Sequence, residues 1–83
     1  MNIKFHPPAL QRMIERGAIE EEVLQTVNEG EKFPAKFGRV GFRRNFVFNN
    51  TWRNKRYPMK QVEVYGVEES GELLVITVLV KYF

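Results

Sequence analysis

The fold of this chain is decided at residues 40–48, where the sequence reads VGFRRNFVF. Val40, Phe42, Phe46 and Phe48 are apolar at alternate positions, with Arg44 interrupting the series, and Gly41, Arg43 and Asn45 between them are small or polar. A period of two predicts a half-buried β-strand. Before residue 30 the apolar positions repeat at helical spacing instead. The change of period predicts an N-terminal helical part followed by a sheet.

Two helices are predicted in the first 30 residues. Prolines at the start of residues 7–17 suit the first turn of a helix, and Gly17 supplies its stop. Three consecutive glutamates favour the positive end of a second helix over residues 19–29, which Gly30 would end. The link between the helices is very short, so we expect a helical hairpin packed against one layer.

The remaining sequence predicts further strands. Residues 61–67 alternate as a strand, and residues 73–80 are apolar at nearly every position, which predicts a central strand buried on both faces. An earlier strand over residues 31–37 would have to lie at an edge, because it contains Pro34. Residues 49–60 have no sustained period and predict a long basic loop or a wide hairpin end.

Together these elements predict a single α+β domain over residues 1–83. Two N-terminal helices would pack on one face of a three- to four-stranded antiparallel sheet. The chain has no cysteine, no apparent signal peptide and no apolar run long enough to span a membrane. We therefore expect a cytoplasmic protein without a membrane partner.

The positive charge is concentrated in the middle of the chain. Residues 31–60 carry nine basic and one acidic side chain, a net charge of +8, whereas the whole chain has +3. A basic segment of this kind is typical of proteins that bind a polyanion such as RNA. A solvated basic loop is the alternative interpretation.

Several kinds of chemistry are excluded by residue type. The chain has no aspartate, one serine (Ser70) and one histidine (His6), so neither a serine triad nor a zinc site can be assembled convincingly. The glutamates fall mostly at helix starts and turns, which does not favour a two-metal nuclease. No nucleotide-binding glycine motif is present. We expect no metal and no cofactor.

Metal-free RNA cleavage is the chemistry that remains, and it needs an acid, a base and cations around the phosphate. Arg16 and Arg44 are candidate cations, and His6 and Tyr82 are candidates for proton exchange. Arg44 is unusual because alternation places it among phenylalanines, where a salt bridge to Glu63 on a neighbouring strand, or a position at the rim, is the structural alternative. His6 precedes two prolines and could instead be a capping or packing residue.

Aromatic and basic residues are interleaved in residues 52–57, a mixture that binds single-stranded nucleic acid. Trp52 and Tyr57 would stack on bases while the cations follow the backbone. The alternative is that both rings fold back as a lid over a small core. The residues we expect to contact nucleic acid are Arg12, Arg39, Arg43, Trp52, Arg53, Lys55, Arg56 and Tyr57.

The segment Arg12-Met13, Glu15-Arg16-Gly17, together with Glu22-Val23, Gly30 and the closing Val75-Ile76-Thr77-Val78, is similar to a known family. The chain resembles the small bacterial domains grouped as domain of unknown function 4258, which open with the pattern HAxxRMxERG. That resemblance implies a RelE-like or BrnT-like fold, metal-independent RNA cleavage and an acidic antitoxin partner.

Carried over by position, the resemblance adds Arg12, Arg16 and Thr77 to the site. The family's opening histidine falls on Pro8, and His6 lies two residues earlier. The departure implies either an inactive member or substitution by His6.

Overall fold

The computed structural model describes residues 1–83 and contains two helices and five strands. In chain order the elements are β1 (Asn2–Phe5), α1 (Pro7–Glu15), α2 (Glu20–Glu29), β2 (Glu31–Pro34), β3 (Val40–Trp52), β4 (Lys55–Glu69) and β5 (Glu72–Tyr82). The expected α+β class and the two N-terminal helices are confirmed. Neither helix is long and apolar enough to cross a membrane.

The five strands form one mixed sheet in the order β1-β5-β4-β3-β2. Strands β2 to β5 are antiparallel to their neighbours, whereas β1 runs parallel to β5 along Glu72–Val75. The prediction of three or four antiparallel strands was therefore wrong in number and in direction. The strand that the prediction missed is β1, which adds the parallel pairing. It has only four residues, no turn signal marks it, and it pairs with β5, about seventy residues away in the chain.

The helices begin and end where local chemistry places them. Pro7 and Pro8 occupy the first turn of α1, where their missing N–H groups cost no hydrogen bond. At the start of α2 the Glu22 carboxylate accepts a hydrogen bond from the Ile19 backbone N–H at 3.1 Å. Both helices lie on one face of the sheet and enclose a core of eleven buried residues: Ala9, Met13, Ala18, Val23, Val27, Phe42, Val62, Val64, Leu73, Val75 and Val78.

Strand β5 is buried on one face only, so the expectation that both of its faces are covered was wrong. Leu73, Val75 and Val78 point into the core, but Leu74 and Leu79 on the opposite face are exposed. No helix covers that second face. Strand β5 nevertheless lies inside the sheet, between β1 and β4.

The segment 49–60 is not a loop. Strands β3 and β4 continue to a two-residue turn at Arg53 and Asn54, both with positive φ (50° and 69°), which is the backbone of a tight hairpin turn. Pro58 lies inside β4 opposite a bulge in β3, so its missing N–H breaks no regular ladder bond. Strand β2 is also shorter than predicted, because it ends at the edge proline Pro34.

Candidate nucleic-acid interface

The tip of the β3–β4 hairpin, residues 52–57, reaches the C-terminal end of β5. The Trp52 ring stacks on the Tyr82 ring, with centroids 4.9 Å apart and an interplanar angle of 15°. Phe48 and Tyr57 contact the same tyrosine at 5.1 and 5.7 Å. These contacts fit the lid alternative, in which the rings fold back on the domain. Tyr82 is the centre of this aromatic cluster.

The end of α1 is attached to the same cluster through backbone groups. The Tyr82 hydroxyl donates a hydrogen bond to the Arg16 carbonyl at 2.9 Å. The Arg16 guanidinium donates from Nη1 to the Val78 carbonyl of β5 at 2.7 Å. Gly17 follows with φ of +81°, and a Cβ added there would meet the Tyr82 hydroxyl and lie 2.7 Å from the Trp52 ring. The Arg16-Gly17 pair of the quoted motif thus joins α1 to the sheet.

A small cleft of about 190 Å³ opens between these elements, lined by Arg16, Trp52, Arg53, Leu79, Val80 and Tyr82. The Arg53 guanidinium lies over the Trp52 ring, 5.2 Å from its centroid. Burial raises the pKa of Tyr82 above its usual value of 10.0, and the negative charge of Glu22 adds to the effect. Tyr82 is therefore a neutral hydrogen-bond donor at neutral pH.

The cations of the hairpin tip have no acidic partner. Arg53, Lys55 and Arg56 form no ion pair, and the sequence contains no carboxylate between Glu31 and Glu63. Their contacts are with aromatic rings and with the backbone. The Lys55 amine lies 5.4 Å from the centroid of the Tyr57 ring, and the Arg56 guanidinium donates a hydrogen bond to the Asn49 carbonyl at 3.0 Å. The tip therefore presents uncompensated positive charge.

The +8 of the middle segment does not form one patch. Four of its nine basic residues are paired with glutamates, three of them from outside the segment, in the pairs Lys32–Glu68, Arg43–Glu31, Arg44–Glu29 and Lys60–Glu22. Two more, Lys36 and Arg39, lie in the turn before β3. That strand has thirteen residues, and at about 3.3 Å per residue it accounts for most of the 41 Å length of the molecule. The three tip cations are thus separated from the other unpaired ones.

Arg44 lies beneath α2 and is not at the tip. It forms an ion pair with Glu29 at 2.7 Å and a longer hydrogen bond with Gln25 at 3.3 Å. The expected salt bridge to Glu63 was wrong, because the register places Arg43 opposite Glu63 on the other face of the sheet. Arg44 was correctly placed on the helix-covered face, and a helix glutamate partners it there.

The other candidate residues are dispersed. His6 is the residue before α1, and its side chain makes no capping hydrogen bond. The nine residues of α1, about 14 Å of helix, separate it from Arg16. Thr77 and Arg39 line a broad groove of about 440 Å³ on the open face of the sheet, and Arg12 pairs with Glu15 on the helix surface. Of the expected catalytic residues, only Arg16 and Tyr82 lie together.

The open face carries a second polar cluster that the sequence analysis did not find. Glu63 is only 5% exposed; its Oε1 accepts a hydrogen bond from the Tyr65 hydroxyl at 3.1 Å, and its Oε2 has no hydrogen-bond partner. Burial, followed by this hydrogen bond, raises the pKa of Tyr65. Beside it, the hydrogen bond from Arg43 lowers the pKa of Glu31. Alternation alone could have placed Glu63 on the face of the sheet opposite to that of Val62, but its burial depends on the strands on either side, which place Arg43 and Leu79 beside it.

A buried ion pair beneath the helix link was also missed. Lys60 is 5% exposed, and its amine contacts the Glu22 carboxylate at 2.7 Å and the Gly17 carbonyl at 2.9 Å. In the sequence, Lys60 falls in the predicted basic loop and Glu22 at the predicted start of the second helix, and nothing links two residues so far apart in the chain. This pair fixes the helix link above β4.

Comparison with known proteins adds no relative. No family model, no curated protein and no solved structure matches this chain. In the structure, no group of three histidine, cysteine or acidic side chains is placed to hold a metal ion. The function is therefore inferred chiefly from the residues of the tip and its cleft.

Proposed function

We propose that this chain is a domain that binds single-stranded RNA through the tip of its β3–β4 hairpin. The observation that carries the proposal is the charge at residues 53–56, where three exposed cations form no ion pair with a carboxylate. Each phosphate that such cations contact releases counterions, which drives binding. The neighbouring Trp52 and Tyr57 rings would favour single strands, because unpaired bases can stack on these rings once Arg53 and Lys55, which lie over them in the free protein, turn to the phosphates.

Fluorescence anisotropy with a labelled single-stranded RNA tests this proposal. Three phosphate contacts predict that log K falls with log salt with a slope of about −2. The triple variant Arg53→Gln/Lys55→Gln/Arg56→Gln should lose most of the affinity and nearly all of the salt dependence. The matched control is Lys36→Gln/Arg39→Gln, which removes unpaired cations at the other end of β3 and should leave the affinity unchanged. Equal losses in both variants would indicate nonspecific attraction and contradict the proposal.

A second candidate function is metal-independent RNA cleavage in the same cleft, as the resemblance to RelE-like and BrnT-like toxins implies. One observation favours it: Arg16, Arg53 and Tyr82 line one cleft, which would supply cations for the phosphate and a hydroxyl to protonate the leaving oxygen. Because its pKa is raised, Tyr82 is protonated at neutral pH and could donate a proton but not accept one. Such an activity would be exercised on RNA in the cytoplasm, and the partner would be an acidic antitoxin.

Incubation with RNA in EDTA separates the two candidates. A cleaving enzyme should lose activity in Tyr82→Phe while retaining RNA affinity, since the ring and its stacking remain. His6→Gln and Arg44→Gln, at residues that do not line the cleft, should cleave at the wild-type rate. Binding without cleavage in the wild-type protein leaves the RNA-binding domain as the function.

A further inference from the structure

The outer edge of β5 is only partly covered by β1. Pairing with β1 ends at Val75, whose carbonyl accepts the His6 N–H at 2.9 Å, and the chain then turns away into α1. The second half of β5, residues 78–82, therefore has no neighbouring strand on that side. An uncovered strand edge is a template for another strand.

The register identifies which backbone groups face outwards. Met59 and Phe83 exchange both of their backbone hydrogen bonds, at 2.9 and 3.0 Å. In an antiparallel ladder bonded and non-bonded pairs alternate, so Val62 and Val80 form a non-bonded pair. The N–H and C=O groups of Val80 and Tyr82 therefore point away from β4. No other group of the chain forms a hydrogen bond with these backbone groups of Val80 and Tyr82. Arg16 donates a hydrogen bond only to the Val78 carbonyl, two residues earlier on the same edge.

The positive charge beside this strand edge favours an acidic ligand. The cleft along Val80 and Tyr82 is bordered by Arg16 and Arg53, and neither guanidinium has a carboxylate partner. Arg16 uses one of the five N–H donors of a guanidinium for the Val78 carbonyl. A second copy of this chain, paired through the same edge, would bring four arginines together, and like charges in one interface are costly.

We infer that the edge of β5 at residues 78–82 binds an extended segment of an acidic partner protein as a sixth strand. Backbone hydrogen bonds to Val80 and Tyr82 hold the segment, and its carboxylates contact Arg16 and Arg53. The free edge of β3 beyond Arg43 is a poorer template, because the bulge opposite Pro58 interrupts its ladder. The inference stands without the proposed RNA binding, although both ligands would use Arg53.

The test uses a synthetic peptide of about eight residues, the length of an ordinary strand, with alternating threonine and glutamate. Nuclear magnetic resonance should show the Val80 and Tyr82 amides shifting and gaining protection from hydrogen exchange. A peptide with lysine in place of glutamate should not bind. The acidic peptide with N-methyl groups on alternate backbone nitrogens should bind at least about tenfold more weakly, because it cannot form the ladder.

Two variants report on the charge. Arg53→Gln should lower the affinity for the acidic peptide by about threefold, which corresponds to one exposed ion pair. Arg39→Gln, at the other end of the molecule, should leave that affinity unchanged. Three outcomes overturn the inference: equal binding of the N-methylated peptide, shifts confined to β3, or protection of Val80 and Tyr82 that grows with protein concentration alone. No nucleic acid is present, so failure here leaves the RNA proposal untouched.

Discussion

At the scale of single residues, the joint between α1 and the sheet depends on a glycine. Gly17 has a left-handed backbone conformation and lies close to Trp52 and Tyr82. A side chain at this position would therefore strain the backbone and also overlap these two rings. Gly38 has a similar φ of +69° but open space around it. The two positions therefore separate backbone strain from steric overlap.

Gly17→Ala should lower the free energy of unfolding by about 3 kcal/mol, the sum of a positive-φ cost and an overlap with the aromatic cluster. Gly38→Ala should lower it by about 1 kcal/mol, the backbone cost alone. Urea unfolding of both variants measures the difference. Equal losses would mean that the Trp52 and Tyr82 rings move aside without cost.

The tyrosines predict an alkaline loss of stability. The pKa values of Tyr65 and Tyr82 are raised in the folded protein, chiefly by burial, so both groups hold their protons more tightly than in the unfolded chain. Their contribution is complete below the unfolded pKa of about 10 and is lost as pH rises through the folded values. Urea unfolding above about pH 10 should show a falling free energy, and the fall should be smaller in Tyr65→Phe. An ordinary spectroscopic titration of Tyr65 and Tyr82 would contradict this.

Residue-level prediction from the sequence succeeded for faces and failed for partners. Alternation placed Arg44 on the covered face, but it could not say that α2 would bring Glu29 to it. Likewise Arg16 and Tyr82 were chosen separately for their chemistry, and only the packing of α1 on β5 brings them together. The identity of a partner depends on how elements pack, which a one-dimensional period does not contain.

At the scale of elements, the helical hairpin is fixed to the sheet by a buried charge. Lys60 and Glu22 lie between the helix link and β4, and the lysine also holds the Gly17 carbonyl. Removing one member of such a pair leaves the other buried without compensation. The Lys60–Glu22 pair therefore helps to determine where the helices pack on the sheet, although both residues are of types usually found at the surface.

Lys60→Met should lower the free energy of unfolding by about 3 kcal/mol, and adding Glu22→Gln should recover part of that loss. Lys4→Met provides the control: Lys4 and its partner Glu72 are both exposed, so the change should be below about 1 kcal/mol. Additive effects of the Lys60 and Glu22 changes in a double-mutant cycle would show that the two side chains are not coupled.

Elements with strong local signals were predictable, and those that depend on distant pairing were not. The helices have prolines, glutamates and glycines at their ends, and the strand at residues 40–48 has a clear period. The tip turn at Arg53-Asn54 lacks the usual glycine, and Pro58 suggested a break that a bulge absorbs. Strand β1 is short, and only its parallel pairing with β5 defines it.

At the scale of the whole molecule, folding divides the basic charge of the middle segment. The composition suggested one extended patch, whereas the fold neutralises four basic residues and separates the rest along a 41 Å axis. The usable site at the tip is therefore small. An RNA bound there should cover only a few nucleotides.

Shortening a single-stranded RNA from about twelve to about six nucleotides should leave its affinity per site and its salt slope almost unchanged, because three tip cations contact about three phosphates. Anisotropy titrations over a length series provide the measurement. A salt slope that keeps steepening with length would mean that the strand also reaches Lys36 and Arg39, and that the two groups of cations act together.

The position of Trp52 has a practical consequence. It is the only tryptophan of the chain, it is half-buried, and it lies against Tyr82 and beneath Arg53 at the mouth of the cleft. Its emission therefore reports on the cleft and not on the main core. A ligand that displaces Arg53 or stacks on the indole should change the colour and intensity of that emission while far-ultraviolet circular dichroism stays constant. The protein thus carries its own optical probe, at the place where every proposal made for it can be examined without a label.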